Sequence, residues 1–147
     1  MTDNRTARGD GGVIRDDGDE GDSQGRPFVD VPEDSLFTRE EYLEMYDVAS
    51  AEPAFSILCA LSETERLSAS ELGDLLGRDG NDLHYHLRKL KRTGLVRNRR
   101  DPNTGTEQPY SYYVLTDMGH TVLTHGVKAG IEKLAAEEAT IREKYDE

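Results

Sequence analysis

The chain predicts a mainly α fold carrying one small β-hairpin (α+β), and three observations lead there. Apolar residues recur at helical spacing in successive segments between Thr38 and Thr93, most of them opened by a cap residue. Two runs of strand-forming residues, Leu95 to Arg100 and Tyr110 to Leu115, follow across a turn-rich connection. The last helix before those strands, over 81–93, divides into a leucine face and a face of cations, rings and amides. Helices in this order followed by a hairpin make a winged helix-turn-helix. The chain then divides into an acidic tail (1–34), the winged domain (35–115) and a C-terminal helix (116–147).

Residues 1–34 contain six glycines and ten acidic residues with almost no spaced apolar positions. Such a segment buries too little surface to offset its ordering entropy, so disorder is expected there. Order is expected from Thr38, because Thr38-Arg39-Glu40-Glu41 is a capping box opening a helix that carries Tyr42, Leu43 and Tyr46. Pro53 suits the first turn of the next helix, whose buried face is Ala54, Ile57, Leu58 and Leu61. Ser68-Ala69-Ser70-Glu71 is a second capping box. It opens a short helix whose Leu72, Leu75 and Leu76 are expected to dock on the core, with Gly77 ending it.

With Asn81 as its cap, the following helix puts Leu83, Leu87 and Leu90 on one face. Asn81, His84, Tyr85, Arg88 and Arg92 fall on the opposite face, one helix long. Paired donors and flat rings on the front of a helix are what reading base edges in the major groove requires. An ordinary solvated face is the plainer alternative, and charge argues against it. Seven of the chain's eighteen Lys and Arg lie between Arg88 and Arg100, and Asp82 is the only acid from Asn81 through Arg100, in a chain of net charge −12. Lys89 belongs to this island. Gly94 fits a left-handed position past the helix end, and Asp101 to Pro109 supplies the turn residues of the hairpin. Arg97, Arg99 and Arg100 enter the wing, where they could reach phosphates and give affinity with little sequence information.

Thr116 can cap a last helix running to about Tyr145, with a break at Gly126. Val127, Ile131, Leu134, Ile141 and Tyr145 alternate by four and three apart from Glu138 in one seam position. This stripe suits either coiled-coil-like pairing of two chains or folding back on its own domain; pairing would double the DNA contact.

Thirty Asp and Glu with thirteen Arg and only five Lys resemble the surfaces of proteins from halophilic archaea. There, strong charge keeps a protein soluble when salt screens over about 3 Å at 1 M. The single cysteine, Cys59, excludes an internal disulfide framework and any multi-cysteine metal site, and its apolar neighbours suggest a buried small hydrophobe. No apolar window is long enough to span a membrane and no signal peptide is visible, so a soluble cytoplasmic protein is expected.

The segment from Glu71 to Leu87, Tyr85-His86-Leu87-Arg88-Lys89-Leu90 with Thr93-Gly94-Leu95-Val96, and Tyr113-Val114-Leu115-Thr116-Asp117-Met118-Gly119 resemble arsenical-repressor-like (ArsR-like) winged-helix regulators. The resemblance covers about residues 53–125. It implies that Asn81, Asp82, His84 and Tyr85 face bases, that Arg88 meets a base or phosphate, and that His86 is a packed histidine. Two departures stand out. Arg78 occupies a turn position that the family gives to an apolar residue, and the family's metal-binding cysteine and His/Asp sets are missing. His120 and His125, five apart, do not share a face of a regular helix, so no metal or other cofactor is expected.

The function expected is sequence-specific binding of double-stranded DNA by a homodimeric transcription regulator. A winged-helix interaction module within a larger assembly is the alternative. No phosphate loop, nucleophile with a base, or carboxylate pair in an apolar setting suggests an enzyme. An effector site, if the chain has one, is expected between the first and last helices near Tyr42, Tyr46 and the Val127 stripe, although no residue set names a ligand.

Overall fold

The computed structural model describes residues 28–102 and 110–145. The tail expected over 1–34 therefore lies largely outside the described residues, as does the hairpin tip from 103 to 109. The chain divides after Leu36. Of the first unit, residues 28–36 are described and form a turn in which the Ser35 N–H donates to the Pro32 carbonyl at 3.0 Å. The second unit carries every helix and strand described below.

Its first helix, α1 (Arg39–Ala49), begins as its capping box dictates: Thr38 Oγ1 accepts the Glu41 N–H at 3.1 Å and Glu41 Oε1 accepts the Thr38 N–H at 2.8 Å. Met45, Val48 and Ala49 form its buried face, while Leu43 is exposed. Pro53 lies in the first turn of α2 (Glu52–Glu63), and Ala54, Ile57, Leu58 and Leu61 are buried as their spacing predicts. Cys59 is only half-buried among them, and burial pushes its thiol pKa up.

The second capping box opens α3 (Ala69–Leu76), and Gly77 ends it at φ 66°, a left-handed conformation that glycine adopts without strain. Of its three leucines Leu72 is buried and Leu76 packs against the core. Leu75 is 60% exposed, a departure from the expected docking face, because the short helix turns that position outward.

The helix α4 (Gly80–Arg92) starts one residue earlier than expected and its cap is Asp79, not Asn81: the Asp79 carboxylate accepts the Asp82 N–H at 3.0 Å. Both residues can cap. The register chosen buries Leu83, Leu87 and Leu90 to 1% exposure or less and frees the Asn81 amide from capping.

Strands β1 (Val96–Asp101) and β2 (Tyr110–Leu115) pair antiparallel with Val96 opposite Leu115 and Asp101 opposite Tyr110. Leu67 adds a third short rung, its carbonyl accepting the Tyr113 N–H at 2.8 Å. At the base of the wing, Gly94 takes φ 82° and the Thr116 hydroxyl donates to the Gly94 carbonyl at 2.7 Å. The same hydroxyl oxygen accepts the Gly119 N–H at 3.0 Å and so caps α5 (Asp117–Thr121).

The expected break at Gly126 takes the form of a π-helical stretch from Val122 to Lys128, which leads without interruption into α6 (Ala129–Tyr145). Here i→i+5 bonding widens the turn beyond the 3.6 residues of an α-helix. His120 and His125 consequently do share a face, with ring centroids 6.5 Å apart, which corrects the expectation from regular helical geometry. Val122 and Leu123 are buried and Val127 packs against the core. Every residue of α6 is exposed, so beyond Val127 the stripe does not fold back on its own domain.

Candidate nucleic-acid interface

With its leucines fixed in the core, α4 can present only its opposite face to solvent. Asn81, His84, Tyr85, Arg88 and Arg92 are all exposed there, as the helical wheel requires. Lys89 lies beside Tyr85, its ammonium 4.8 Å from the ring centroid and donating to the phenol oxygen at 3.1 Å. The two side chains thereby hold each other upright on the helix. Arg92 reaches the other way and pairs with Glu44 of α1 at 3.1 Å, joining the end of α4 to the first helix.

Asp82, also expected to face bases, is held by neighbouring side chains. Its carboxylate accepts from Arg78 at 2.8 Å and lies 3.6 Å from His86, whose side chain is 14% exposed. Arg78 also pairs with Glu52 of α2. The departure from an apolar turn residue is thus resolved: one guanidinium fastens the turn to α2 and to the first turn of α4. His86, packed edge-on to Tyr85 at 5.0 Å, fills the space below.

Arg97, Arg99 and Arg100 are exposed on β1. Because side chains alternate along a strand, Arg97 and Arg99 share one face of the ribbon and Arg100 takes the other. Opposite Arg99 stands Tyr112, which with Tyr110 forms a stacked pair at 5.5 Å. Arg66, a residue not singled out in the sequence, lies over both rings, 4.6 Å from the Tyr112 centroid, and pairs with Asp101 at 3.6 Å. A sequence clue existed in the period-two spacing of Tyr110 and Tyr112, but Arg66 reaches them only through the Leu67 rung.

The Tyr110 hydroxyl donates to Glu71 Oε1 at 2.5 Å, so the wing is anchored to the carboxylate that caps α3. The Ser68 backbone N–H foremost, and then the Tyr110 hydroxyl, hold the Glu71 carboxyl below its ordinary pKa. A depressed carboxylate stabilises the fold fully above its unfolded pKa, about 4.3, and loses that contribution as pH falls through the native value. In urea unfolding at stepped pH, the stability advantage of wild type over Glu71→Gln is expected to hold above pH 5 and to shrink on acidification. A constant difference down to pH 3 would contradict this anchor.

Among the described residues no three His, Cys, Asp or Glu side chains come together as a metal site, and no helix is long and apolar enough to cross a membrane.

Comparison with known proteins agrees with the fold. The chain is 38% identical over 80 residues to transcription factor E of Ignicoccus hospitalis, a match covering 53% of this chain and 44% of that protein. The chain thus spans less than half the length of that relative. Among solved structures it resembles a transcriptional regulator homologue from Pyrococcus horikoshii OT3 (TM-score 0.50, 23% identity, 65% of this chain and 97% of that one). It also resembles the YusO protein of Bacillus subtilis (TM-score 0.53, 19% identity, 70% and 73%) and a MarR family transcription regulator, SP03579 (TM-score 0.52, 23% identity, 73% and 74%). These structural likenesses show the fold. Residues 54–99 match the model of a helix-turn-helix domain, and the residues around them complete a winged-helix fold.

Proposed function

We propose that this protein is a sequence-specific, DNA-binding transcription regulator, without enzymatic activity, that acts as a homodimer in the cytoplasm. The observation that carries the reading is the exposed stripe of Asn81, His84, Tyr85 and Arg88 on a helix whose other face is buried in the core. Helix α4 enters the major groove, and Arg97, Arg99 and Arg100 reach the flanking phosphates. Asp82, held by Arg78, orients the helix. The name of the relative from Ignicoccus hospitalis supports a role in transcription.

The domain division proposed is a tail over 1–34, the winged domain over 35–115 and a dimerising helix over 116–147. Support for pairing comes from α6, which leaves Ile131, Leu134, Ile141 and Tyr145 between 52% and 73% exposed. Val127 continues the stripe into the domain. An ArsR-like subfamily and a salt-adapted archaeal source rest on the motif resemblance and on the acid-rich, Lys-poor composition.

Arg88→Ala is expected to weaken binding to a specific site by about 1–3 kcal/mol while changing affinity for random DNA little. Arg100→Ala is expected to weaken both alike and to lower the salt slope. Fluorescence anisotropy on specific and scrambled duplexes across a salt series checks both. Equal effects of the two substitutions on both duplexes would remove the assignment of roles.

A further inference from the structure

A cavity of about 350 Å³ lies between α1 on one side and α5 with the start of the π-helical stretch on the other, away from the exposed face of α4. It is lined by Tyr42, Met45 and Tyr46 from α1 and by Asp117, Met118, Thr121 and Val122 from the other side. Val122, and not the Val127 stripe, meets the tyrosines here. Met45 and Val122 are buried and make an apolar floor, with Tyr42 and Met118 half-buried beside them. Tyr46, Asp117 and Thr121 stand exposed at the rim. Tyr46 is held in place because its ring lies against Gly126, where even a single added carbon would sit 2.3 Å from it.

The chemistry of this lining is one-sided. Asp117 is its only charged residue and makes no ion pair among the described residues. Among the described residues no lysine, arginine or histidine lines the cavity. Two tyrosines and two methionines complete the lining, residue types that attract a cation with a weakly hydrated apolar body. An anionic or strongly hydrated ligand would meet a carboxylate and an apolar floor with nothing to offset its desolvation. The volume falls at the small end of the range for small-molecule sites. We infer that this cavity is a binding site for a small organic cation, an alkylated or aromatic ammonium whose apolar body fills the floor while its charge faces Asp117 and the tyrosine rings. The site is separate from the DNA-facing stripe and does not depend on that reading.

The test is titration of the full chain with benzyltrimethylammonium, followed by amide chemical shifts, beside its uncharged isostere neopentylbenzene and the anion phenylacetate. Expected are saturable shifts with the cation at residues of the α1 and α5 walls and weaker or no binding of the other two. Asp117→Asn, which keeps the shape, is expected to weaken the cation about fivefold without changing neopentylbenzene, the scale of one partly exposed charge pair. Thr121→Phe, at an exposed position, should fill the cavity and abolish binding while leaving the amide spectrum of α4 unchanged. Preference for phenylacetate or neopentylbenzene, no saturable shift with the cation, or cation affinity equal in wild type and Asp117→Asn would each overturn the proposal.

Discussion

Gly119→Ala is expected to destabilise the domain by at least about 3 kcal/mol and to lower its melting temperature by about 10 °C or more. A methyl carbon at this buried position would lie 2.1 Å from the Leu95 carbonyl oxygen and 2.8 Å from a Leu115 methyl. The first of these is backbone and cannot rotate away. It also accepts the Thr116 N–H at 3.1 Å, so moving it opens the seam where α4, the wing and α5 meet. Thermal and urea unfolding in the same salt check the value. Gly130→Ala, where nothing lies within 4 Å of the added carbon, serves as the control and is expected to be neutral or slightly stabilising. Gly119→Ala as stable as wild type would mean that α5 does not seat on Leu95 as described.

The second large effect lies under the proposed reading surface. Leu87 is 1% exposed, between Leu83 and Leu90 on the buried face of α4. Leu87→Ala is expected to cost about 2–5 kcal/mol, the transfer and cavity terms together. That is a large part of the total stability of an ordinary domain, about 5–15 kcal/mol. Arg88, the next residue, is exposed, and its truncation is expected to change stability by less than about 0.5 kcal/mol. Adjacent substitutions thus separate the two faces: unfolding resolves Leu87→Ala from wild type, and DNA affinity resolves Arg88→Ala. Comparable losses of stability in both would place Arg88 in the core and remove it from the interface.

Much of the fold was legible because it rests on local rules. Both capping boxes, Pro53 in a first turn, Gly77 and Gly94 at positive φ, and the leucines of α4 follow from a few neighbouring residues each. What the sequence did not show depends on distance. Gly119 and Gly126 look alike in sequence, yet one accommodates a carbonyl and the other a tyrosine ring. Gly126 signals that the last helix breaks, but not that the break is a π-helical stretch bringing His120 to His125. Asp79 and Asn81 are equally good caps by residue type, and spacing alone does not choose between them; the structure uses Asp79.

The stripe on α4 was legible from periodicity alone. The second partners were not. Arg78 reaching Glu52, Glu44 taking Arg92 and Arg66 bracing Tyr110 and Tyr112 each join residues from different elements, which no spacing rule reaches.

Sequence-specific reading of DNA by α4 is tested most directly by selecting duplex fragments with the purified full chain in concentrated potassium chloride, beside an Asn81→Ala, Arg88→Ala double substitution. High salt removes most phosphate-only binding, so fragments that survive are held through bases or DNA shape. The account predicts a small set of fragments sharing a motif, recovered by wild type and lost with the double substitution. Recovery of no enriched fragment by wild type, or the same fragments with both proteins, would contradict it.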